Sequence, residues 1–266
     1  MRTSEVFRPD LLAGQVVLVT GGGSGIGLAI ARECAALGAA VAIGGRDETR
    51  LTGAADELRA EGAEVLAAPL DIRDPDAADA WVRDVRAHFG RVDVLVNNAG
   101  GQFPSAALDI TPKGWRAVVD TNLNGTWFVS QAFARCLIAE HRPGRVVSIV
   151  ANMWRGFPGM AHTGAARAGV VNLTRSLALE WARHGILVNA VAPGVIRSSG
   201  LDTYPEAVRA MVESEVPQHI PLRRLGTIED VAWAVVYLVG PAGSYITGET
   251  LCVDGGQQHW GTVFPV

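Results

Sequence analysis

The sequence predicts an α/β fold in which a doubly wound parallel sheet of about seven strands carries helices on both faces. Short apolar runs alternate with segments whose apolar residues recur at helical spacing, from Val16 to Val253. A glycine-rich turn connects the first apolar run to the first helical segment. The chain has 266 residues, of which 48% are hydrophobic, so it can bury one large core. We therefore expect a single domain over residues 1–266.

The strands are recognised by short runs of β-branched and other apolar residues that end at glycine, proline or polar residues. Gly45 follows the second run, Asn97 the fourth, and Pro193 the sixth. In chain order the predicted strands cover 16–19, 40–44, 65–69, 92–96, 145–150, 186–191 and 250–253.

The helices are recognised by apolar residues three and four positions apart and by capping residues at their starts. Asp74 and Thr111 each precede a proline, which fits an N-cap followed by the first helical position. Asp47 and Thr227 are the other predicted caps. The predicted helices cover 26–37, 47–61, 74–89, 111–140, 164–184 and 227–239, with one more near 205–215 in the irregular segment 197–222.

Composition excludes several classes of function. The formal net charge is −4, which does not favour nucleic acid or an anionic membrane surface as principal partner. Apolar runs stay short of the roughly 18 residues that a membrane span needs. Three cysteines, Cys34, Cys136 and Cys252, are far apart and lack metal-ligand spacing. We expect a cytoplasmic protein with reduced thiols and no metal.

The glycine-rich turn is the first candidate site. A turn of this kind, leading from a strand into a helix, directs backbone N–H groups and the positive end of the helix dipole at a pyrophosphate. Its spacing, T-G-x-x-x-G-x-G over residues 20–27, resembles that of the short-chain dehydrogenase/reductase superfamily, whose fold is of the Rossmann type. The cofactor contacts expected from the turn are Gly21, Gly23, Ser24, Gly25, Ile26 and Gly27.

The adenosine end of the cofactor is expected at the ends of the second and third strands. An acidic residue after the second strand would bond a free ribose 2′-hydroxyl and repel a 2′-phosphate. This chain has Gly45 and then Arg46, whose guanidinium can clamp a phosphate through two parallel hydrogen bonds. We therefore expect NADP(H) rather than NAD(H). The resemblance implies that Asp71 and Ile72 face the adenine.

The resemblance also implies contacts along the rest of the cofactor. Residues 97–100 resemble the family's N-N-A-G motif, whose asparagines tie strand ends together and whose backbone lies along the cofactor. Residues 193–196 resemble the P-G segment that meets the nicotinamide carboxamide. The implied contacts are Asn98, Ala99, Gly100, Pro193, Gly194 and Ile196.

The catalytic residues depart from the family pattern. Most members process carbonyls and alcohols with a serine, a tyrosine and a lysine supported by an asparagine, and the tyrosine hydroxyl passes the proton. Asn122 matches the asparagine, but Thr163 and Arg167 stand where the tyrosine and lysine are expected, and residues 150–152 contain no serine. Arg167 stays protonated and can still hold the nicotinamide ribose hydroxyls, one helical turn after Thr163. An unactivated alcohol is a poor substitute for the phenol, so these residues do not fit the usual carbonyl chemistry.

One branch of the superfamily fits them better. Residues 97–103, N-N-A-G-G-Q-F, are similar to the N-N-x-G-G-Q-F of peroxisomal-type trans-2-enoyl-CoA reductases, as is the run G-A-A-R at 164–167. This resemblance implies reduction of the C2=C3 double bond of an enoyl-CoA in fatty acid metabolism, by hydride transfer to the β-carbon. Negative charge then develops on the thioester oxygen as an enolate. Its stabilisation needs hydrogen-bond donors rather than a strong acid. Gln102 and Phe103 are expected to line the acyl pocket.

Three residues are candidate donors to that oxygen: Thr163, His162 and Tyr204. His162 is interpreted either as a substrate contact or as a surface group in the loop before the helix. Tyr204 lies in the segment 197–222, which the family uses as a substrate lid, whereas Tyr237 and Tyr245 are expected in the core. The turn after Val253 resembles one that joins subunits in the family, so a homodimer or homotetramer is expected.

Two alternatives remain open from the sequence. The chain could be a carbonyl reductase or alcohol dehydrogenase in which His162 or Tyr204 replaces the missing phenol. It could also be a catalytically decayed NADP(H)-binding sensor or interaction protein. Retention of Asn122 and of a positive charge at residue 167 argues mildly against decay.

Overall fold

The computed structural model describes residues 3–201 and 205–259, and its central element is a parallel sheet. In chain order the strands are β1 (Val16–Thr20), β2 (Ala40–Gly45), β3 (Val65–Pro69), β4 (Val94–Asn97), β5 (Gly144–Ile149), β6 (Ile186–Pro193), β7 (Ile196–Arg197), β8 (Gly226–Thr227) and β9 (Thr250–Val253). Seven of them form the sheet, in the order β3-β2-β1-β4-β5-β6-β9. This order reverses between β1 and β4, so a crevice opens at the carboxyl ends of these strands.

Helices cover both faces of the sheet, as the sequence predicts. They are α1 (Gly25–Ala36), α2 (Glu48–Ala60), α3 (Pro75–Phe89), α4 (Pro112–Val119), α5 (Gly125–Ala139), α6 (Ala161–Trp181), α7 (Glu206–Ser214) and α8 (Ile228–Val239). Helices α1, α2 and α8 pack with one face of the sheet, and α3, α5 and α6 with the other. All of β1 is buried, with Val17 and Val19 in one core and Val16 and Leu18 in the other. Burial on both faces explains why the strands are uniformly apolar.

The predicted helix starts are confirmed by their caps. Asp47 accepts a hydrogen bond from the Arg50 backbone N–H, and Asp74 accepts two from the first turn of α3. Thr111 caps α4, and Thr227 forms a reciprocal capping box with Asp230 at the start of α8. Each side chain satisfies backbone donors that have no partner within the helix.

The long helix predicted over 111–140 is confirmed in extent, but it contains a π turn that was not predicted. A π-helical turn, Asp120–Asn124, separates α4 from α5, and Asn122 lies at its centre. The Asn122 Nδ2 donates to Val118 O at 2.9 Å, inside the helical ladder. A π turn changes the apolar spacing by only one residue, so the periodicity of the sequence does not reveal it.

Other differences concern single residues. Helix α6 begins at Ala161, so His162 lies in its first turn and is fully buried, which excludes the surface-loop interpretation. Tyr237 is partly exposed and Tyr245 fully exposed, so their predicted place in the core is wrong. The two-residue strands β7 and β8 pair with each other, which the sequence did not predict.

Two features are absent from the described residues. No helix there is long and apolar enough to cross a membrane. Nor do three or more histidine, cysteine, aspartate or glutamate side chains come together there as a group able to hold a metal ion.

Candidate active site

The glycine-rich turn joins β1 to α1 at the crevice and leaves an open cradle. Gly21 and Gly25 have φ angles of 66° and 54°, which side chains rarely adopt. A Cβ at Gly27 would overlap the Gly21 carbonyl oxygen and the Asn98 side chain. The side chain of Ser24, the N-cap of α1, makes no capping bond. Backbone without side chains at a helix N-terminus fits the pyrophosphate of a dinucleotide.

Asn98 and Thr20 hold this turn against the end of β4. Asn98 Nδ2 donates to Thr20 O at 3.1 Å and to Gly21 O at 3.2 Å. The backbone N–H groups of Asn98 and Ala99 both donate to Thr20 Oγ1 at 3.0 Å. The predicted tie between strand ends is therefore confirmed, and the Asn98 side chain shapes the cradle from behind.

Ser199 closes the cradle from the opposite side, a contact the sequence analysis missed. A Cβ at Gly25 would lie 3.2 Å from Ser199 Oγ. The chain reaches this place because β7 follows the Pro193–Gly194 turn and Gly226 N donates to Val195 O at 3.0 Å. Ile196 is buried against Gly226. The signal in the sequence was the pair of serines after β7.

The adenosine end contains two arginines and one carboxylate. Arg46 is exposed directly after β2. Asp71 is paired with Arg73 through Nε at 2.9 Å and Nη2 at 2.5 Å. The hydrogen bond from Arg73 lowers the pKa of Asp71 to about 2, against the smaller effect of burial. Ile72 is buried against Gly125 of α5.

Asn122 forms hydrogen bonds with the backbone of the loop after β4. Its Nδ2 donates to Gly101 O at 2.7 Å, and its Oδ1 accepts from Gly101 N at 3.3 Å. With the bond to Val118 O, the amide uses both its donor and acceptor atoms on backbone. Its role is thus to fix the loop that carries Gln102 and Phe103.

Arg167 is a buried cation at the centre of the site. Its side chain is 8% exposed, and Nη1 donates to Ile149 O at 2.8 Å, at the end of β5. A Cβ at Gly100 would overlap Arg167 Nη2 and lie 2.7 Å from Asn122 Oδ1, so only glycine fits between them. Desolvation by burial lowers the pKa of Arg167 to about 10, which leaves the guanidinium charged at neutral pH.

Thr163 and His162 point at each other in the first turn of α6. Both are fully buried. His162 Nδ1 accepts from Thr163 N at 2.8 Å and lies 3.3 Å from Thr163 Oγ1. The Phe103 ring contacts the imidazole edge to face, with ring centroids 4.6 Å apart. The geometry therefore joins Phe103 to the site, whereas Gln102 is exposed beside it.

The end of β5 meets the turn that follows β9. Asn152 Nδ2 donates to Asp254 Oδ2 at 2.8 Å, and the same carboxylate accepts the backbone N–H groups of Gly256 and Gln258. Gly194 packs directly on Asp254, where a Cβ would lie 2.8 Å from its Cα. The Pro193–Gly194 turn is thereby fixed at the mouth of the crevice.

The segment predicted as a lid carries α7. A cavity of about 290 Å³ lies between α7 and residues 197–201, with Arg197 and Arg209 in its wall. Tyr204, the third candidate donor, lies outside the described residues.

Known proteins resemble the chain over nearly all of its length. Residues 21–258 match the protein family described as Enoyl-(Acyl carrier protein) reductase. The chain is 39% identical to a "Probable 2,4-dienoyl-CoA reductase" of Bacillus subtilis, over 94% of this chain and 98% of that protein. It is 37% identical to a 3-oxoacyl-[acyl-carrier-protein] reductase of Escherichia coli, over 91% and 97%. A solved structure, a citronellol catabolism dehydrogenase of Pseudomonas aeruginosa, has a TM-score of 0.84 and 40% identity, covering 95% of this chain and 98% of that one.

Proposed function

The chain belongs to the short-chain dehydrogenase/reductase family and is an oxidoreductase with a nicotinamide dinucleotide cofactor, and we propose that it uses NADPH to reduce the C2=C3 double bond of an enoyl-CoA thioester. The name of the Bacillus subtilis relative, a 2,4-dienoyl-CoA reductase that produces (2E)-enoyl-CoA, supports an unsaturated acyl-CoA as substrate, whereas the choice of the C2=C3 bond rests on the residues of the site alone. The preference for NADPH rests on Arg46, exposed where an acidic residue would repel a 2′-phosphate.

One observation carries the proposal: the proton-donating tyrosine of the family is replaced by a buried threonine. Thr163 is fully buried beside His162, and the partner position holds Arg167, which stays charged at neutral pH. A carbonyl reduction needs an acid that gives its proton to the forming alkoxide. Reduction of a conjugated double bond needs only stabilisation of the enolate oxygen, and the α-carbon can take its proton from water.

The residues then divide the work of binding and charge stabilisation. The cradle formed by Gly21, Gly25 and Gly27 would hold the pyrophosphate, and Arg46 the 2′-phosphate. A bound reduced nicotinamide would supply the hydride for the β-carbon. Asn122 positions the loop of Gln102 and Phe103, which would line the acyl pocket. The positive charge of the buried Arg167 would favour movement of electron density onto the thioester oxygen.

Carbonyl reduction is the second candidate, because the Escherichia coli relative is a 3-oxoacyl reductase at a similar identity. It would require a proton donor other than Thr163. His162 is the side chain in the described part of the site that could serve.

The test is NADPH oxidation with a medium-chain trans-2-enoyl-CoA, run beside a 3-oxoacyl-CoA, a ketone panel and NADH. We expect rapid loss of NADPH absorbance with the enoyl thioester, slower loss with NADH, and little with the carbonyl compounds. Turnover of the 3-oxoacyl thioester alone would replace the proposal with carbonyl reduction. Tight NADPH binding without turnover of any substrate would favour a non-catalytic cofactor sensor.

A further inference from the structure

The buried imidazole of His162 has one ring nitrogen in use and one not. His162 Nδ1 accepts the Thr163 backbone N–H at 2.8 Å. His162 Nε2 is buried and makes no hydrogen bond within the described residues. Because Nδ1 faces a donor, the neutral ring carries its proton on Nε2. The site thus contains a buried N–H group that points at no protein acceptor, and such groups need an explanation.

The neighbouring side chains are partly engaged within the protein. The Thr163 hydroxyl lies 3.3 Å from His162 Nδ1, whose single lone pair already accepts the Thr163 backbone N–H. Arg167 Nη1 donates to Ile149 O, and its Nη2 lies against Gly100. Among the side chains at the start of α6, His162 is the one whose buried polar atom has no hydrogen-bond partner within the described residues.

Phe103 covers one side of this imidazole. Its ring is 39% exposed and meets the imidazole at 77°. It belongs to residues 101–106, which form neither helix nor strand. The loop is held at two points, Gly101 by Asn122 and Ser105 by the Gly159 carbonyl at 2.7 Å. Between these anchors the Phe103 side chain can rotate away without breaking a hydrogen bond.

We propose that the Nε2–H of His162 donates to the thioester oxygen of the bound substrate, and that Phe103 covers this donor until the acyl chain displaces it. The inference rests on the proposed function and names the donor for the same site. A hydrogen bond to the oxygen strengthens as the electron pair of the C=C bond moves onto it. His162 gives up no proton in this step, since the α-carbon is protonated by water. The apolar face of Phe103 then packs on the acyl chain.

Two substitutions distinguish the roles of the two ring nitrogens of His162. In His162→Asn, Oδ1 replaces Nδ1 as the acceptor for Thr163 N, and no atom takes the place of Nε2. In His162→Gln, the amide nitrogen falls near the position of Nε2. We expect kcat for trans-2-enoyl-CoA to fall about 100-fold in the asparagine variant, as when an oxyanion donor is removed. The glutamine variant should recover part of this loss, and both should bind NADPH as the wild type does.

A spectroscopic measurement distinguishes a substrate contact from a structural role. Trans-cinnamoyl-CoA bound to the enzyme with NADP+ absorbs at longer wavelength when its carbonyl oxygen accepts a hydrogen bond. We expect a red shift with wild type and His162→Gln, and its loss in His162→Asn. An asparagine variant that keeps both the red shift and the wild-type kcat would overturn the inference while leaving enoyl reduction intact.

The covering role of Phe103 is tested by the rate at which a reagent modifies His162. We expect diethyl pyrocarbonate, with the modified histidine located by mass spectrometry, to modify His162 slowly in wild type and faster in Phe103→Ala. Enoyl-CoA with NADP+ should protect it in both. Equal rates in the two proteins would refute the covering role. If wild type turns over no enoyl thioester and binds no cinnamoyl-CoA, the proposed function fails, and the role of His162 fails with it.

Discussion

Arg167 is the residue whose chemistry separates this site from the usual family pattern. Burial alone lowers the pKa of its guanidinium from the ordinary value to about 10. The folded state therefore binds this proton less tightly than the unfolded state does. The penalty to stability is present below pH 10 and is relieved as the pH rises above 10 toward the ordinary pKa of an arginine. An arginine tolerates this shift and still remains charged over the whole working range.

A lysine in this position would not remain charged over the whole working range. In Arg167→Lys the ammonium begins from an ordinary pKa of about 10.4, and the same burial lowers it into the working range. We expect kcat/KM for enoyl-CoA near the wild-type value at pH 6.5 and an alkaline decline centred at about pH 8. The measurement is the pH profile of kcat/KM from about pH 6 to 10 at saturating NADPH.

Arg167→Met serves as the control, because it lacks the charge at every pH. Its kcat/KM should be about 100-fold lower and nearly independent of pH. Superimposable profiles for the lysine variant and the wild type would show that the charge at residue 167 is not required by the reaction.

At the scale of elements, the site depends on the junction between α4 and α5. The π turn places Asn122 where its amide hydrogen-bonds to the Gly101 backbone. The neighbouring Gly100 then packs against Arg167 Nη2. Three elements, the loop after β4, the π turn and α6, thus meet with no room for a methyl group. The strand–turn–helix order was visible in the sequence, but this contact was not.

Adjacent glycines provide a matched test of the junction. In Gly100→Ala, the methyl group would overlap Arg167 Nη2 and crowd Asn122 Oδ1. In Gly101→Ala, it would have no heavy atom within 4 Å. We expect the first variant to lose about 1–3 kcal/mol of unfolding free energy and to bind NADPH more weakly. The second should stay within about 0.5 kcal/mol of wild type.

Urea unfolding and a fluorescence titration with NADPH measure both effects. Because the two variants differ only in which neighbour receives the methyl group, helix propensity and chain entropy cancel in the comparison. Equal stability and equal NADPH affinity for the two variants would contradict the close packing of Arg167 on Gly100.

At the scale of the whole molecule, the sheet ends at a strand that has no further partner strand among the described residues. Strand β9 is the last strand in the order, and Leu251 on it is partly exposed. Leu179 on α6 is 82% exposed, and Tyr245 is fully exposed. An unpaired sheet edge can pair with another chain, and exposed apolar side chains mark interfaces between proteins when they form a contiguous patch. We propose that the β9 edge, Leu179 and Tyr245 contribute to the contact in a homodimer or homotetramer.

Leu179→Glu tests this assembly. The side chain makes little contact within its own chain, so the substitution should leave the fold intact and place a charge in the subunit contact. We expect light scattering to show a dimer or tetramer for wild type and a smaller species for the variant. Val6→Glu, at another exposed apolar residue, should assemble as wild type does. A wild type that is monomeric at micromolar concentration would exclude the proposal.

The sequence by itself determined the order of strands and helices, the capped helix starts and the glycine cradle. These features depend on interactions between residues close in the chain, such as Asp74 with the first turn of α3. The family also followed from local motifs, above all those at residues 20–27 and 97–103.

Only the tertiary structure decided how distant residues share their hydrogen bonds. It placed Asn122 on the loop of Phe103, Ser199 on Gly25, and the unpaired Nε2 of His162 at the start of α6. Each of these contacts joins segments far apart in the chain or depends on what remains unpaired after folding. Neither periodicity nor motif spacing predicts which hydrogen-bond donor stays unpaired after folding, because that depends on every group packed around it.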